Sequence, residues 1–252
     1  MPTYCRSVLR NVVIPILPKL VPNWFQENEF VASGDFPNGP VYLCIRGWPA
    51  DAHEQLVPLF QHLMRAARRN KPIIIDVRAN SGGSEAKAIR FAACFAVQPV
   101  HYALHFERRN GRLSGPHERW LMPQHVIAPY RGRVAVLIGK GTISSCESFV
   151  LMMKQLPNCT LIGENTAGAS GNPQPLDLGN GVWVYIPSWM SFSPHGTLLE
   201  GRGVSPDISV AWRPSAFSTY DPVLEKALNV LSLKQRGKLT KAAIRKKAFL
   251  TT

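Results

Sequence analysis

The chain has 252 residues, of which 45% are hydrophobic, with 19 Gly and 21 Pro dispersed along it. This composition is typical of a globular protein with a sizeable core, and the length allows one large domain or two small ones. The formal charge is +13, from 29 Lys and Arg against 16 Asp and Glu. Such an excess can attract nucleic acid, but no aromatic residues interleave the basic run 234–247 as a stacking platform requires. A nucleic-acid-binding function is therefore not favoured.

The start of the chain and its cysteines exclude further classes. No apolar run reaches the length of a membrane span. The apolar stretch Val12–Leu17 is interrupted by Pro15 and is too short for a signal peptide. The sequence therefore predicts a cytoplasmic protein by default, or part of a longer precursor. Five cysteines without a C-x-x-C pair argue against a disulfide framework and a zinc site, and we expect no metal and no cofactor.

Residues 1–40 are rich in Pro and show no clear period, which predicts an irregular N-terminal arm. Val41–Ile45 is a short apolar run typical of a strand, and the apolar spacing within 51–70 predicts a helix. A fully apolar strand follows at 72–78, and 84–97 is again helical in pattern.

The rest of the chain continues the alternation of strands and helices, which predicts an α/β fold with a mainly parallel sheet. A core domain over 41–233 and a basic C-terminal tail over 234–252 are expected. The further predicted elements are a strand at Val100–Phe106, a polar loop around Arg108–Pro116, a strand at Val134–Ile138, a helix at Glu147–Gln155, strands at Cys159–Ile162 and Val182–Ile186, and a helix at Pro222–Leu233.

Two loops follow buried strands at the same relative position. Asn80-Ser-Gly-Gly83 comes after the strand at 72–78, and Gly139–Ser145 comes after Val134–Ile138. In a parallel sheet, ligands gather beyond the carboxyl ends of the strands. We therefore expect the two loops to converge on one spot if their strands are neighbours.

Ser144, in the second loop, has two interpretations. With Glu147 three residues later it fits a capping box at the start of a helix. As a nucleophile it needs donors for the oxygen that becomes negative. Gly82 and Gly83 lack side chains, so their N–H groups can approach a carbonyl closely, and Ser145 in the first helical turn has an N–H without an intrahelical partner. Together, the two loops favour a site for acyl transfer.

Four segments resemble the motifs of one enzyme family and occur in that family's order. They are Ile73–Gly83, similar to hydrophobic-Asp-Leu-Arg-x-Asn-x-Gly-Gly, Thr142–Glu147, similar to Thr-x-Ser-Ala-x-Glu, Leu161–Gly168, similar to Gly-Glu-x-Thr-x-Gly, and Glu200–Ile208, similar to Glu-x-x-Gly-Val-x-Pro-Asp-Ile. Over residues 41–210 the chain thus resembles the C-terminal processing, or tail-specific, serine peptidases and their tricorn-like relatives.

The resemblance implies a Clp-protease/crotonase-like fold, a spiral of ββα units, without the family's PDZ module. It implies that Ser144 is the nucleophile and, in the tricorn-like branch, that Glu200 orients a histidine. The processing branch uses a lysine as base, at the position where this chain has Ala169. The tricorn-like histidine comes from a region before the first core strand, and residues 1–40 contain none. His195 lies at a hairpin position of the family pattern.

The sequence therefore predicts a serine peptidase that is truncated or impaired, because its base is not identified. The alternative is a non-catalytic binding module on the same fold. Asp76 and Arg78 are expected to brace the end of their strand. The expected partner is a peptide or protein substrate. The sequence leaves open whether the chain forms a homo-oligomer, which substrate it binds and whether it is catalytically active.

Overall fold

The computed structural model describes residues 15–51, 53–109, 112–211, 217 and 219–232. The strands of these parts are β1 (Phe25–Gln26), β2 (Val31–Asp35), β3 (Val41–Ile45), β4 (Ile73–Asp76), β5 (Val100–Arg109), β6 (Arg112–Leu121), β7 (Val134–Ile138), β8 (Cys159–Gly163), β9 (Pro173–Asp177), β10 (Trp183–Pro187), β11 (Trp189–Phe192) and β12 (Ile208–Ser209). The α-helices are α1 (Leu17–Leu20), α2 (Val57–Arg68), α3 (Glu85–Ala92), α4 (Ser145–Gln155) and α5 (Pro222–Ser232). Short 3₁₀ turns precede α2 at Glu54–Leu56 and follow α3 at Ala93–Phe95.

Seven strands form the central sheet, in the order β1-β2-β3-β4-β7-β8-β12. From β3 to β12 every neighbouring pair is parallel, and β2 and β1 extend one edge as antiparallel strands. Two smaller sheets, β11-β5-β6 and β10-β9, lie outside it. The predicted α/β class with a mainly parallel sheet is confirmed.

Both faces of the central sheet are covered. Ile73 and Ile75 of β4 lie in one core cluster with side chains of α2, α3 and α4. Ile74, between them, lies in a second cluster with side chains of α1 and α5. Successive side chains of a strand point to opposite faces, so a strand that is covered on both sides consists of a continuous apolar run. None of the helices described is long and apolar enough to cross a membrane.

The predicted irregular arm over 1–40 is wrong at Leu17–Leu20, which form α1, and at Phe25–Gln26 and Val31–Asp35, which form β1 and β2. Ser33, Gly34 and Asp35 interrupt the apolar pattern of β2, but pairing with β3 stabilises it as a strand. Residues 1–14 and 233–252, which include the basic tail, lie outside the described residues. The domain limits after 40 and 233 therefore stay predictions.

The predicted polar loop around Arg108–Pro116 is also wrong. β5 continues to Arg109 and β6 begins at Arg112, with Arg108 paired to Leu113 across the two strands. Most of β6 is exposed, so no alternation of apolar and polar residues marked it in the sequence. Main-chain pairing between the two strands forms this hairpin.

A buried ion-pair network connects β4 to the last helix. The guanidinium of Arg78 donates to both carboxylate oxygens of Asp76, at 2.6–3.2 Å, and to those of Asp221, at 2.6 and 3.0 Å. Asp221 also accepts the N–H groups of Val223 and Leu224 at the start of α5. Burial lowers the pKa of Arg78, but the two carboxylates outweigh burial and raise this pKa above its ordinary value. The network therefore holds α5 on the strand that leads to the first glycine loop.

Removal of one partner from this network is expected to destabilise the fold strongly. Asp221→Ala leaves the buried guanidinium with a single carboxylate, and breaking a buried pair in this way costs about 3–5 kcal/mol. The matched control is Arg69→Ala, because the Arg69 side chain is 59% exposed in its pair with Asp35 and such surface pairs contribute about 1 kcal/mol or less. Urea unfolding measures both, and equal losses for the two variants would contradict the role given to the network.

Candidate active site

The two glycine-bearing loops meet at the carboxyl edge of the sheet. β4 and β7 are adjacent and parallel, so the loops that follow them leave the same edge. The hydroxyl of Thr142 donates to the carbonyl of Val77 at 2.9 Å, and the N–H of Ile143 donates to the carbonyl of Asn80 at 3.1 Å. The loops are thus joined by direct hydrogen bonds, as their expected convergence requires.

Ser144 lies directly against the first glycine loop. A Cβ atom at Gly82 would stand 2.8 Å from Cβ and 3.2 Å from Oγ of Ser144. Real Cβ atoms do not approach other heavy atoms this closely, so any side chain at this position would displace the serine. Gly82 therefore provides the space that the Ser144 side chain occupies.

Ser144 itself has an unusual backbone conformation, with φ 60° and ψ −131°. A non-glycine residue at positive φ costs on the order of 1–3 kcal/mol and persists only where its surroundings impose it. Ser144 and Glu147 form a capping box, in which the Ser144 side chain faces the main chain of Glu147 and the Glu147 carboxylate accepts the Ser144 N–H at 3.3 Å. The predicted cap is therefore present at the start of α4.

The carboxylate of Glu147 imposes this conformation. It is fully buried, and its Oε1 accepts the Thr166 hydroxyl at 2.6 Å and the Gly168 N–H at 2.7 Å. Its Oε2 accepts the Ala169 N–H at 2.8 Å and the Ser144 N–H at 3.3 Å. Burial raises the pKa of Glu147 above its ordinary value, and these donors oppose the rise. One side chain thus joins the turn at Ser144 to the loop at 166–169.

The three N–H groups expected to face an oxyanion are not equivalent. The N–H of Gly82 donates to Oδ1 of Asn80 at 2.9 Å and is therefore engaged. The N–H of Gly83 has no acceptor among the residues described, and a Cβ at Gly83 would stand 2.1 Å from the Trp48 carbonyl oxygen. Ser145 is the first residue of α4, where an N–H has no intrahelical acceptor. Gly83 and Ser145 are the available donors.

Ala169 contacts Ser144 directly, and Glu200 contacts the residue that follows Ala169. The carbonyl of Ala169 accepts the Ser144 N–H at 3.1 Å, and its methyl group is exposed. The next residue, Ser170, donates its hydroxyl to Oε1 of Glu200 at 2.7 Å. Oε2 of Glu200 accepts the Ser191 N–H at 3.4 Å. Main-chain and hydroxyl contacts thus place Glu200 beside the loop that contacts Ser144.

His105 is a buried histidine near this group that sequence reasoning did not single out. It lies on β5 opposite Ser191, the residue whose N–H contacts Glu200, and its ring packs on Trp189 with centroids 4.8 Å apart. Burial lowers the pKa of His105 to about 4. Only the register of β5 with β11 brings it here, and no local motif predicts that register. His195, by contrast, is exposed after β11.

The arrangement provides two of the requirements of acyl transfer. A serine hydroxyl lies against a glycine loop, and two unpaired N–H groups lie on that loop and on the start of a helix. The N-terminus of α4 also favours negative charge. The methyl side chain of Ala169, the residue whose carbonyl accepts the Ser144 N–H, cannot take a proton from the Ser144 hydroxyl. Among the described residues, no group of three His, Cys, Asp or Glu side chains could hold a metal ion.

Comparisons with known proteins agree with this geometry. The model of peptidase family S41 matches residues 40–210. A protein of Staphylococcus epidermidis assigned as a CtpA-like serine protease is 23% identical over 139 residues, which are 55% of this chain and 27% of that protein. The chain therefore corresponds to only part of this curated relative.

Solved structures confirm the predicted Clp-protease/crotonase-like fold. A structure from Parabacteroides merdae assigned as a peptidase has a TM-score of 0.74 at 21% identity, covering 89% of this chain and 71% of that one. The photosystem II D1 C-terminal processing protease has a TM-score of 0.56 at 18% identity, covering 84% and 50%. The tricorn protease has a TM-score of 0.54 at 22% identity, covering 76% and 17%.

The dependence of the site on Glu147 can be measured with Glu147→Gln. Each carboxylate oxygen accepts two donors, so the amide nitrogen of Gln would face two donors in either orientation. A buried donor left unpaired costs about 1–3 kcal/mol, and we expect the free energy of unfolding to fall by at least about 2 kcal/mol. Glu225→Gln, on the exposed face of α5, is the control. If the two variants unfold at the same urea concentration, Glu147 does not organise the site.

Proposed function

Because the chain belongs to peptidase family S41, we propose that it is a serine peptidase in which Ser144 attacks the carbonyl carbon of a peptide bond. The observation that carries the proposal is the position of the Ser144 side chain, 3.2 Å from where a Cβ of Gly82 would stand. The hydroxyl thus lies beside the loop that carries the unpaired Gly83 N–H.

The proposed oxyanion hole consists of the N–H groups of Gly83 and Ser145. The tetrahedral intermediate would place its negative oxygen between them, and removal of one such donor typically costs about 3–4 kcal/mol of transition-state stabilisation. Gly82 would contribute space, because its N–H is bound to Asn80. Support comes from the conformation of Gly83, whose positive φ of 125° and contact with Trp48 admit no side chain.

Glu200 is proposed to orient a histidine that this chain's motifs do not identify. Its carboxylate is held by Ser170, next to the residue that contacts the Ser144 N–H. A serine without a general base is a weak nucleophile, and such a base contributes about 10²–10⁴-fold in rate. We therefore propose an impaired or incomplete peptidase that acts on a peptide or protein substrate. Assembly into a homo-oligomer is left open.

A second candidate function is a binding module that does not hydrolyse its ligand. Ala169 favours this function. It stands where the processing peptidases that the chain resembles have a lysine as base, and its methyl group cannot take a proton. The two glycine-bearing loops, which Glu147 holds in place, would then serve recognition of a peptide. The two functions differ only in whether Ser144 reacts.

A fluorophosphonate probe separates these functions. The wild-type protein is expected to be labelled at Ser144 and Ser144→Ala is expected not to be, as measured by mass spectrometry of the labelled peptide. Ser148→Ala, one helical turn further along α4, should retain labelling. Absence of labelling in the wild type, under conditions that label another S41 peptidase, would favour the binding module.

Introduction of a base tests the proposed impairment. In Ala169→Lys the new side chain begins at an exposed position whose carbonyl contacts the Ser144 N–H. We expect peptide hydrolysis to rise by about 10²-fold or more, the contribution of a general base. Ala167→Lys, in the same loop, is the control and should give no gain. The same rate in both variants, measured with a fluorogenic peptide, would argue against Ala169 as the missing base position.

A further inference from the structure

The hairpin of β9 and β10 exposes large apolar side chains to solvent. Every residue of both strands is exposed, including Leu176 at 47%, Trp183 at 55%, Tyr185 at 63% and Ile186 at 46%. An isolated hairpin of two strands is marginally stable in water. By the register, Leu176 and Ile186 share one face and Trp183 and Tyr185 the other, so both faces expose apolar side chains. Neither strand pairs with any other strand among the described residues.

The hydrogen-bond pattern shows which backbone groups of the hairpin point outward. The N–H of Leu178 donates to the carbonyl of Val182 at 3.1 Å, and the register continues with Leu176 opposite Val184. In an antiparallel pair, hydrogen-bonded and non-hydrogen-bonded positions alternate. Trp183 and Tyr185 therefore lie at non-hydrogen-bonded positions, and their N–H and carbonyl groups point away from β9.

The two outer edges of the hairpin differ in their capacity to bind another strand. The outward positions of β9 include Pro173 and Pro175, which have no N–H and so cannot donate to a further strand. The outward positions of β10 are Trp183 and Tyr185, each with an N–H and a carbonyl, and Pro187 at the end of the strand, which has only a carbonyl. Asp177 is the sole charged residue of the two strands, so β10 lacks the charges that commonly protect an edge.

The hairpin is joined to the loop that contacts Ser144. The carbonyl of Gly171 accepts the N–H of Ser188, just after β10, at 2.9 Å. The indole N–H of Trp189 donates to the carbonyl of Ser170 at 2.7 Å, and the preceding carbonyl, that of Ala169, accepts the Ser144 N–H. The open edge of β10 is therefore connected to the turn at Ser144 through three consecutive residues, 169–171.

We propose that the outer edge of β10 binds an extended, apolar segment of the polypeptide substrate by β-strand addition. In this mode main-chain hydrogen bonds hold the peptide, and alternate side chains contact the exposed apolar residues. The inference rests on the proposed function, since it assigns the edge to the substrate of the Ser144 site. A strand of five residues offers little to a permanent dimer, whose interface takes about 20–30 residues a side, and suits a transient peptide.

Binding to the Ser144→Ala protein tests this without requiring hydrolysis. The probe is a fluorescein-labelled peptide of about eight alternating Val and Thr residues, the length of an ordinary strand, followed by fluorescence polarisation. Two further peptides carry N-methyl groups on every Val or on every Thr. A peptide that pairs through one edge should lose affinity at least about tenfold in one methylated form and much less in the other.

Variants of Tyr185 complete the experiment. Tyr185→Pro removes an outward N–H without removing a hydrogen bond of the hairpin, and should weaken binding by at least about tenfold. Tyr185→Thr keeps the N–H and should bind better than the proline variant. If Tyr185→Pro fails to fold, the methylated peptides still decide the question on the Ser144→Ala protein.

The outcomes separate this inference from the proposed function. Edge-dependent binding supports it even if the fluorophosphonate probe never labels Ser144. Labelling of Ser144 together with peptide binding that ignores both N-methylation and Tyr185→Pro overturns it and leaves the peptidase proposal intact. A dimer in sedimentation that Tyr185→Pro converts to a monomer, without peptide binding, also overturns it, because β10 then pairs with a second copy.

Discussion

The buried carboxylate of Glu147 is the interaction on which the site depends. It accepts hydrogen bonds from Thr166, Gly168, Ala169 and Ser144, and so ties the start of α4 to a loop that follows β8. Burial of a carboxylate is costly unless its oxygens are fully hydrogen-bonded. Three of the four donors are main-chain N–H groups, and the Ser144 N–H also donates to the Ala169 carbonyl. The four hydrogen bonds therefore offset the cost of burying the carboxylate. The same hydrogen bonds hold the two loops in their shape.

This arrangement also explains why the backbone around the serine tolerates strain. Ser144 stands at positive φ, and Gly83 has a conformation that L side chains rarely adopt. Hydrogen bonds hold the turn from both sides, through Glu147 and the Ala169 carbonyl. The parallel pairing of β4 with β7 brings the glycine loop against that turn. Sheet topology thus brings the two loops together, and local hydrogen bonds orient the backbone of Ser144.

Much of this could be predicted from the sequence, and the exceptions have physical reasons. β3 and β7 are continuous apolar runs because both faces are buried, and their predicted bounds are the observed ones. β2 was missed because its pairing with β3, rather than its own pattern, makes it a strand. Glycine loops after two neighbouring strands predicted the meeting of Gly82 with Ser144. The engagement of the Gly82 N–H by Asn80 and the burial of His105 depend on side-chain orientation and strand register, which the sequence does not reveal.

Ala169 makes its hydrogen bonds around Ser144 through its main chain and not through its side chain. Its N–H and carbonyl contact Glu147 and Ser144, whereas the residue itself is exposed. These main-chain contacts do not depend on the side chain, so the turn at Ser144 can keep them whichever side chain stands at this position. A strained turn costs stability, on the order of 1–3 kcal/mol for a residue such as Ser144. A fold that needed only to connect β7 with α4 would have no use for that conformation, and this is a physical reason to assign the serine to recognition or catalysis rather than to capping alone.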